Sequence, residues 1–124
     1  MEFLASDKAP KAIGPYSQAV KAGNLLFTSG QVSLDPATSK LVEGDFDAHA
    51  RRVFENLKVV LASGGAEFKN VVKATVFLKN FGDFQKLNAV YSEYFGSHKP
   101  ARTTVEVSKL PLDAPLEIDL VAVV

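Results

Sequence analysis

The period of apolar and polar positions changes several times along the chain, and each change marks a predicted element. Residues 17–22, SQAVKA, read as a short strand, and Gly23-Asn24 follows as a hairpin turn. Residues 25–33, LLFTSGQVS, read as a second strand, with Gly30 predicting a bulge or a close backbone approach. LDPATSK at 34–40 reads as a loop. Phe46, Ala50, Val53, Leu57 and Leu61 then recur at three- and four-residue spacing, one apolar stripe of a helix over 46–63. Asp45 is its candidate cap, and Gly64-Gly65 ends it. VVKATVFLK, 71–79, is a β-rich strand. Asp83 is a candidate cap for a second helix over 84–95, which carries Phe84, Leu87, Tyr91 and Tyr94 or Phe95 on one stripe and stops at Gly96. Two strands close the chain, about 101–109 and 116–124.

The order β-β-α-β-α-β-β predicts an α+β fold: a mixed sheet with two helices on one face, built by residues 1–124 as one domain. LVAVV at the end is apolar at every position, the pattern of a strand buried on both faces. Two helices cover only one face, so a second subunit is expected on part of the other.

Composition narrows the function classes. With 124 residues, 14 basic and 14 acidic side chains, the formal net charge is zero. That balance argues against a dedicated nucleic-acid binder, whose affinity rests on neutralising phosphates. There is no cysteine, which removes thiolate nucleophiles, disulfides and thiolate metal sites. MEFLASDKAP lacks a basic region followed by an apolar run, so no signal peptide is expected, and a cytoplasmic location is the default, an organelle remaining open. No G-x-S-x-G, H-E-x-x-H, Walker loop or G-x-G-x-x-G occurs. His49 and His98 stand far apart without ligand spacing, the first flanking the first helix and the second in a loop.

Several residues remain as candidates for chemistry. Pro100 cannot continue a ladder, so Arg102 stands near the start of its strand. Period-two alternation puts Arg102 and Thr104 on one polar face and Val105 and Val107 on the other. A guanidinium is a rigid planar fork that fits a carboxylate, although a surface arginine paired with a glutamate is the commoner case. Glu117 shares a face with Asp119 and suits a general base, although a solubilising charge on an edge strand is the commoner case. Tyr16 follows a Gly-Pro turn, and Ser29 beside Gly30 forms a small-residue step where backbone N–H groups can approach a ligand. Asn88 is a poor helix former inside the second helix, placed to reach for a partner or left partly exposed.

Four ordered stretches, "AIGPYSQAV" (12–20), "LLFTSGQVSLDPATSKLV" (25–42), "VVKATVFLKNFGDFQKLNAVYSEYF" (71–95) and "PARTTVEVSKLPLDAPLEIDLVAV" (100–123), carry a resemblance to the reactive intermediate deaminase family, RidA or YjgF-like, along essentially the whole chain. The resemblance implies a chorismate-mutase-like fold, a homotrimer with clefts between subunits, and no metal or cofactor. It implies hydrolysis of 2-imino acids such as 2-iminobutanoate and 2-iminopropanoate to 2-oxo acids and ammonia, which protects pyridoxal-phosphate enzymes. It places the carboxylate clamp on Arg102, the glutamate that holds the attacking water on Glu117, and the other binding positions on Tyr16, Ser29, Gly30, Asn88 and Thr104. Thr104 is a departure: many relatives carry cysteine there, and the contact ascribed to that position is largely its backbone N–H. Some relatives are described as endoribonucleases or translation inhibitors, and a non-catalytic trimer that binds small carboxylates or acts as a chaperone is the other alternative.

Overall fold

The computed structural model describes residues 1–124. A six-stranded sheet runs in the order β1 (Glu2–Leu4), β2 (Ala19–Ala22), β3 (Leu25–Thr28), β8 (Leu116–Val123), β6 (Val71–Leu78), β7 (Ala101–Glu106). Two helices, α1 (Phe46–Ser63) and α2 (Phe84–Phe95), carry the chain from β3 to β6 and from β6 to β7. Only the β6–β7 pair is parallel; β8 returns between β3 and β6 and pairs antiparallel with both. The mixed α+β sheet with two helices is therefore as the periodicity predicts.

The helix boundaries follow from local chemistry. Asp45 Oδ1 accepts a hydrogen bond from Ala48 N at 3.0 Å, capping α1. All five stripe residues of α1 are buried. Asp83, by contrast, makes no side-chain cap: Phe81–Asp83 already form a 3-10 turn that runs into α2, and Asn80 Oδ1 caps that turn by accepting from Gly82 N at 2.9 Å. The core lies between helices and sheet. Phe54 sits in its aromatic part, with the rings of Phe68, Tyr91, Tyr94 and Phe95 at centroid distances of 6.2, 5.9, 4.9 and 6.3 Å.

Elsewhere the strands depart from the sequence pattern for identifiable reasons. The predicted loop at 34–40 holds a two-residue ladder between β4 (Leu34–Asp35) and β5 (Lys40–Leu41). Its turn is closed by Ala37 N donating to Asp35 Oδ1 at 2.8 Å. β1 was not expected; it is a three-residue edge strand. β7 ends at Glu106 rather than at 109, because its partner β6 ends opposite at Leu78. LVAVV keeps its alternation. Leu120 and Ala122 are buried towards the helices, whereas Val123 is 38% exposed, so within one chain this segment is not buried on both faces.

Strand β3 stops at Thr28, short of the predicted 33, because the chain bulges at Ser29-Gly30. Phe27 pairs with Val121, and the next contact to β8 is the Gln31–Ile118 bridge, which leaves three residues facing two. Thr28 Oγ1 fills the missing ladder position by accepting from Leu120 N at 3.0 Å, and Ser29 N turns away to Gln18 O at 2.9 Å. This bulge, foreshadowed by Gly30, shapes one half of the candidate site.

Candidate active site

Sequence-predicted site residues fall into two groups. The first gathers around the β3 bulge. Tyr16, Ser29, Gly30 and Glu117 line one pocket of about 300 Å³, with Lys11 at its wall. Glu117 reaches the bulge closely: a Cβ at Gly30 would lie 2.7 Å from its Oε2. Only glycine leaves the carboxylate that room. Burial pushes the Glu117 carboxyl above the ordinary carboxylate range, and the nearby Asp119 pushes it the same way. Ser29 Oγ donates to Ser17 O at 2.5 Å, which commits its proton to the backbone. Tyr16 is half exposed, and its hydroxyl accepts from Ile13 N at 3.4 Å, across the Gly-Pro turn.

The second group lies on β7 and α2. Arg102 and Thr104 stand in register with Ala74 and Val76 of β6. Both β6 residues are buried on the helix side, so the Arg102–Thr104 face lies under α2. The alternation is as predicted, but the polar side is the one under the helix, while Val105 on the opposite side is exposed. The Arg102 guanidinium carbon lies 4.8 Å from the centroid of Tyr91 and 5.5 Å from that of Phe84, both on α2. Asn88, on the same helix, is half-buried.

Arg102 is not an ordinary paired surface arginine. The chain's ion pairs are Arg51–Glu93, Lys69–Glu67 and Lys79–Asp113, and Arg102 belongs to none of them. The two buried side-chain polar atoms without a hydrogen-bond partner are Tyr91 Oη and Thr104 Oγ1, one stacked against Arg102 and one two residues along its strand face. A half-buried cation without an acid partner in its own chain, beside two buried hydroxyls without a protein partner, can be satisfied by water, by a neighbouring chain or by a polar ligand.

One chain does not bring the two groups together. Glu117 pairs with Phe77, whereas Arg102 pairs with Ala74; Phe77 and Ala74 point to opposite faces of β6. Arg102 therefore sits on the helix side of the sheet and Glu117 on the open side.

Sequence reading missed the residues that hold both groups in place. Tyr91 falls on the core stripe by its spacing, which does not mark the stacking on Arg102. Gln18 is buried and ties down the segment that borders the pocket: its Nε2 donates to Pro10 O at 2.9 Å, and its Oε1 accepts from Ser6 N at 2.7 Å. Asn56, fully buried in α1, donates to Leu34 O at 2.9 Å behind the pocket wall. A buried glutamine or asparagine is legible in sequence only as a polar residue interrupting an apolar stretch. The histidines are structural: His49 Nδ1 meets Ser33 Oγ at 2.6 Å, and His98 Nε2 meets Val71 O at 2.7 Å.

With this geometry in view, the chain belongs to the RidA/YjgF family; the family model described as Endoribonuclease L-PSP matches residues 6–124. A crystal structure from Thermotoga maritima, described provisionally as an endoribonuclease, is 52% identical and superposes with a TM-score of 0.98, covering 100% of this chain and 98% of that one. Reactive Intermediate Deaminase A, chloroplastic, from Arabidopsis thaliana is 42% identical over 98% of this chain and 65% of its own length. The structure of Escherichia coli TdcF with bound serine is 37% identical with a TM-score of 0.95, covering 100% of this chain and 99% of that one. No helix is long and apolar enough to cross a membrane.

Proposed function

We propose that this protein hydrolyses small 2-imino acids, such as 2-iminobutanoate and 2-iminopropanoate, to 2-oxo acids and ammonia. The site would be closed by two copies of the chain, Arg102, Thr104 and Asn88 from one and Tyr16, Ser29, Gly30 and Glu117 from the next. A homotrimer, in which each copy gives one group to each neighbour, is the assembly proposed. The observation that carries the reading is Arg102 itself: a half-buried cation with no acid partner in its own chain, beside two unpartnered buried hydroxyls. The reading is supported by the relative named as a reactive intermediate deaminase and by the TdcF structure holding serine, a small molecule with a carboxylate.

The chemistry follows from the groups present. The substrate carboxylate docks on the Arg102 fork, which fixes the imine carbon in one place. Glu117, its carboxyl held above the usual range, takes a proton from a water, and the hydroxide oxygen bonds to the imine carbon. The C=N π electrons move to nitrogen, which takes up a proton. The new hydroxyl then gives up its proton as a proton reaches nitrogen, the C–N bond breaks, ammonia leaves and the C=O bond forms, so that one water has supplied both protons gained by nitrogen. No covalent nucleophile is required, consistent with the commitment of the Ser29 hydroxyl to the Ser17 carbonyl.

The test couples threonine dehydratase to the protein and follows imine loss against spontaneous hydrolysis. Acceleration by the wild type, abolished in a correctly assembled Arg102→Ala variant, is expected. No acceleration by the wild type would defeat the reading, and RNA cleavage in its place would point to the endoribonuclease description of the family.

A further inference from the structure

Arginine side chains are long, and an unpaired guanidinium at a strand end normally samples many rotamers. Arg102 has no carboxylate in its chain to hold it, yet its guanidinium lies at cation–π distance from two rings of α2. The deeper of the two, Tyr91, is itself immobile: it is buried, stacks on Phe95 at 4.3 Å and meets Phe54 edge-on at 5.9 Å. An aromatic face attracts the cation while leaving its N–H edge free, whereas a carboxylate partner would occupy that edge.

We propose that Tyr91 is a positioning residue for ligand binding: its ring, locked in the aromatic core, holds the Arg102 guanidinium pre-aimed so that the substrate carboxylate meets an ordered fork. This inference rests on the carboxylate-clamp reading above. The ring carries the role: Tyr91 Oη has no hydrogen-bond partner of good geometry, although Arg102 lies near enough to favour the ionised hydroxyl against the larger, opposite effect of burial. The role also explains why an aromatic core residue is placed directly beneath the one unpaired cation on β7. Loss of the ring frees the guanidinium, and the ordering cost then falls on the ligand.

The experiment measures binding of 2-oxobutanoate to the whole protein by calorimetry, with melting temperature recorded for each variant. Tyr91→Phe keeps the ring and is expected to bind within about twofold of wild type, the stacking being retained. Tyr91→Leu, and Tyr91→Met as the flexible filler that best preserves the core, are expected to bind about three- to tenfold more weakly, the size of a partly exposed cation–π contact. In the Arg102→Ala background the same Tyr91 changes are expected to add no further loss, a result that general damage to the core would not give. Folded Leu or Met variants that bind like wild type, or a Phe variant as weak as they are, overturn the inference. So does a full additional loss in the Arg102→Ala background. If Arg102→Ala alone binds as tightly as wild type, the carboxylate clamp falls and this inference with it; if only the Tyr91 variants match wild type, the clamp stands and this inference alone falls.

Discussion

Replacing Gly30 with alanine tests whether the place of the Glu117 carboxylate matters. The added Cβ would stand 2.7 Å from Glu117 Oε2, 2.8 Å from Cδ and 3.0 Å from Cγ. Ordinary contact begins at 3.4 Å, so the carboxylate must withdraw by the difference, about 0.7 Å. Gly30 is not among the residues with positive φ, so alanine brings no backbone strain and the effect is steric alone. The Glu117 side chain is half-buried and can swing, which keeps the stability loss near the low end of the overpacking range, about 1 kcal/mol. Catalysis is less forgiving, because a displacement of about 1 Å at a reacting group costs on the order of a hundredfold. The expected result in the coupled imine assay is therefore a fall in kcat of roughly ten- to a hundredfold, with a small drop in melting temperature. In a Glu117→Gln background Gly30→Ala should add little, since the base it displaces is already gone. A folded Gly30→Ala protein with full kcat would refute the reasoning.

Further expectations can be checked on the same protein. Glu117 must be ionised to act as base, so kcat/KM should fall at acid pH as its carboxyl, which burial and Asp119 raise within one chain, takes up a proton; a rate flat down to pH 4 would contradict this. The same shift has an opposite consequence for stability. The folded state binds this proton more tightly than the unfolded state, so the contribution is full below the unfolded value and lost as pH rises through the folded one; in an Arg102→Ala background, where no neighbouring guanidinium offsets the shift, Glu117→Gln should therefore raise the melting temperature at neutral pH. Asn56→Ala removes the donor to Leu34 O and the acceptor from Arg52 Nε in a fully buried place. Denaturant unfolding should show a loss of about 1–3 kcal/mol, and an unchanged midpoint would show that these bonds are dispensable.

Much of the fold is legible in the sequence because its helices are amphipathic and sharply punctuated. The stripe from Phe46 to Leu61 and the stops at Gly64 and Gly96 reproduce both helices to the residue. Strand ends are less legible, because a strand stops where its partner stops, and the end of β7 at Glu106 is set by Leu78 far away in sequence. The same non-local cause hides the face of Arg102. Alternation separates it from Val105, but only the pairing with Ala74 says which side the helices cover. Of the site, the bulge was readable from Gly30 and the strand position of Arg102 from Pro100. The supports, Gln18, Asn56 and Tyr91, were not, because their roles come from contacts 8 to 22 residues apart or from a neighbouring element.

Arg102 and Glu117 lie on opposite faces of one sheet, so the account requires that they meet only between copies. Arg102→Ala and Glu117→Ala chains, each expected to lose most or all activity alone, can be mixed in equal amounts in denaturant and refolded together. If every site takes its arginine from one copy and its glutamate from another, random assembly leaves roughly a quarter of the sites intact, whatever the size of the closed ring. Recovery of about that fraction of wild-type imine hydrolysis is predicted. Co-assembled mixtures with no activity above the separate variants would contradict the account.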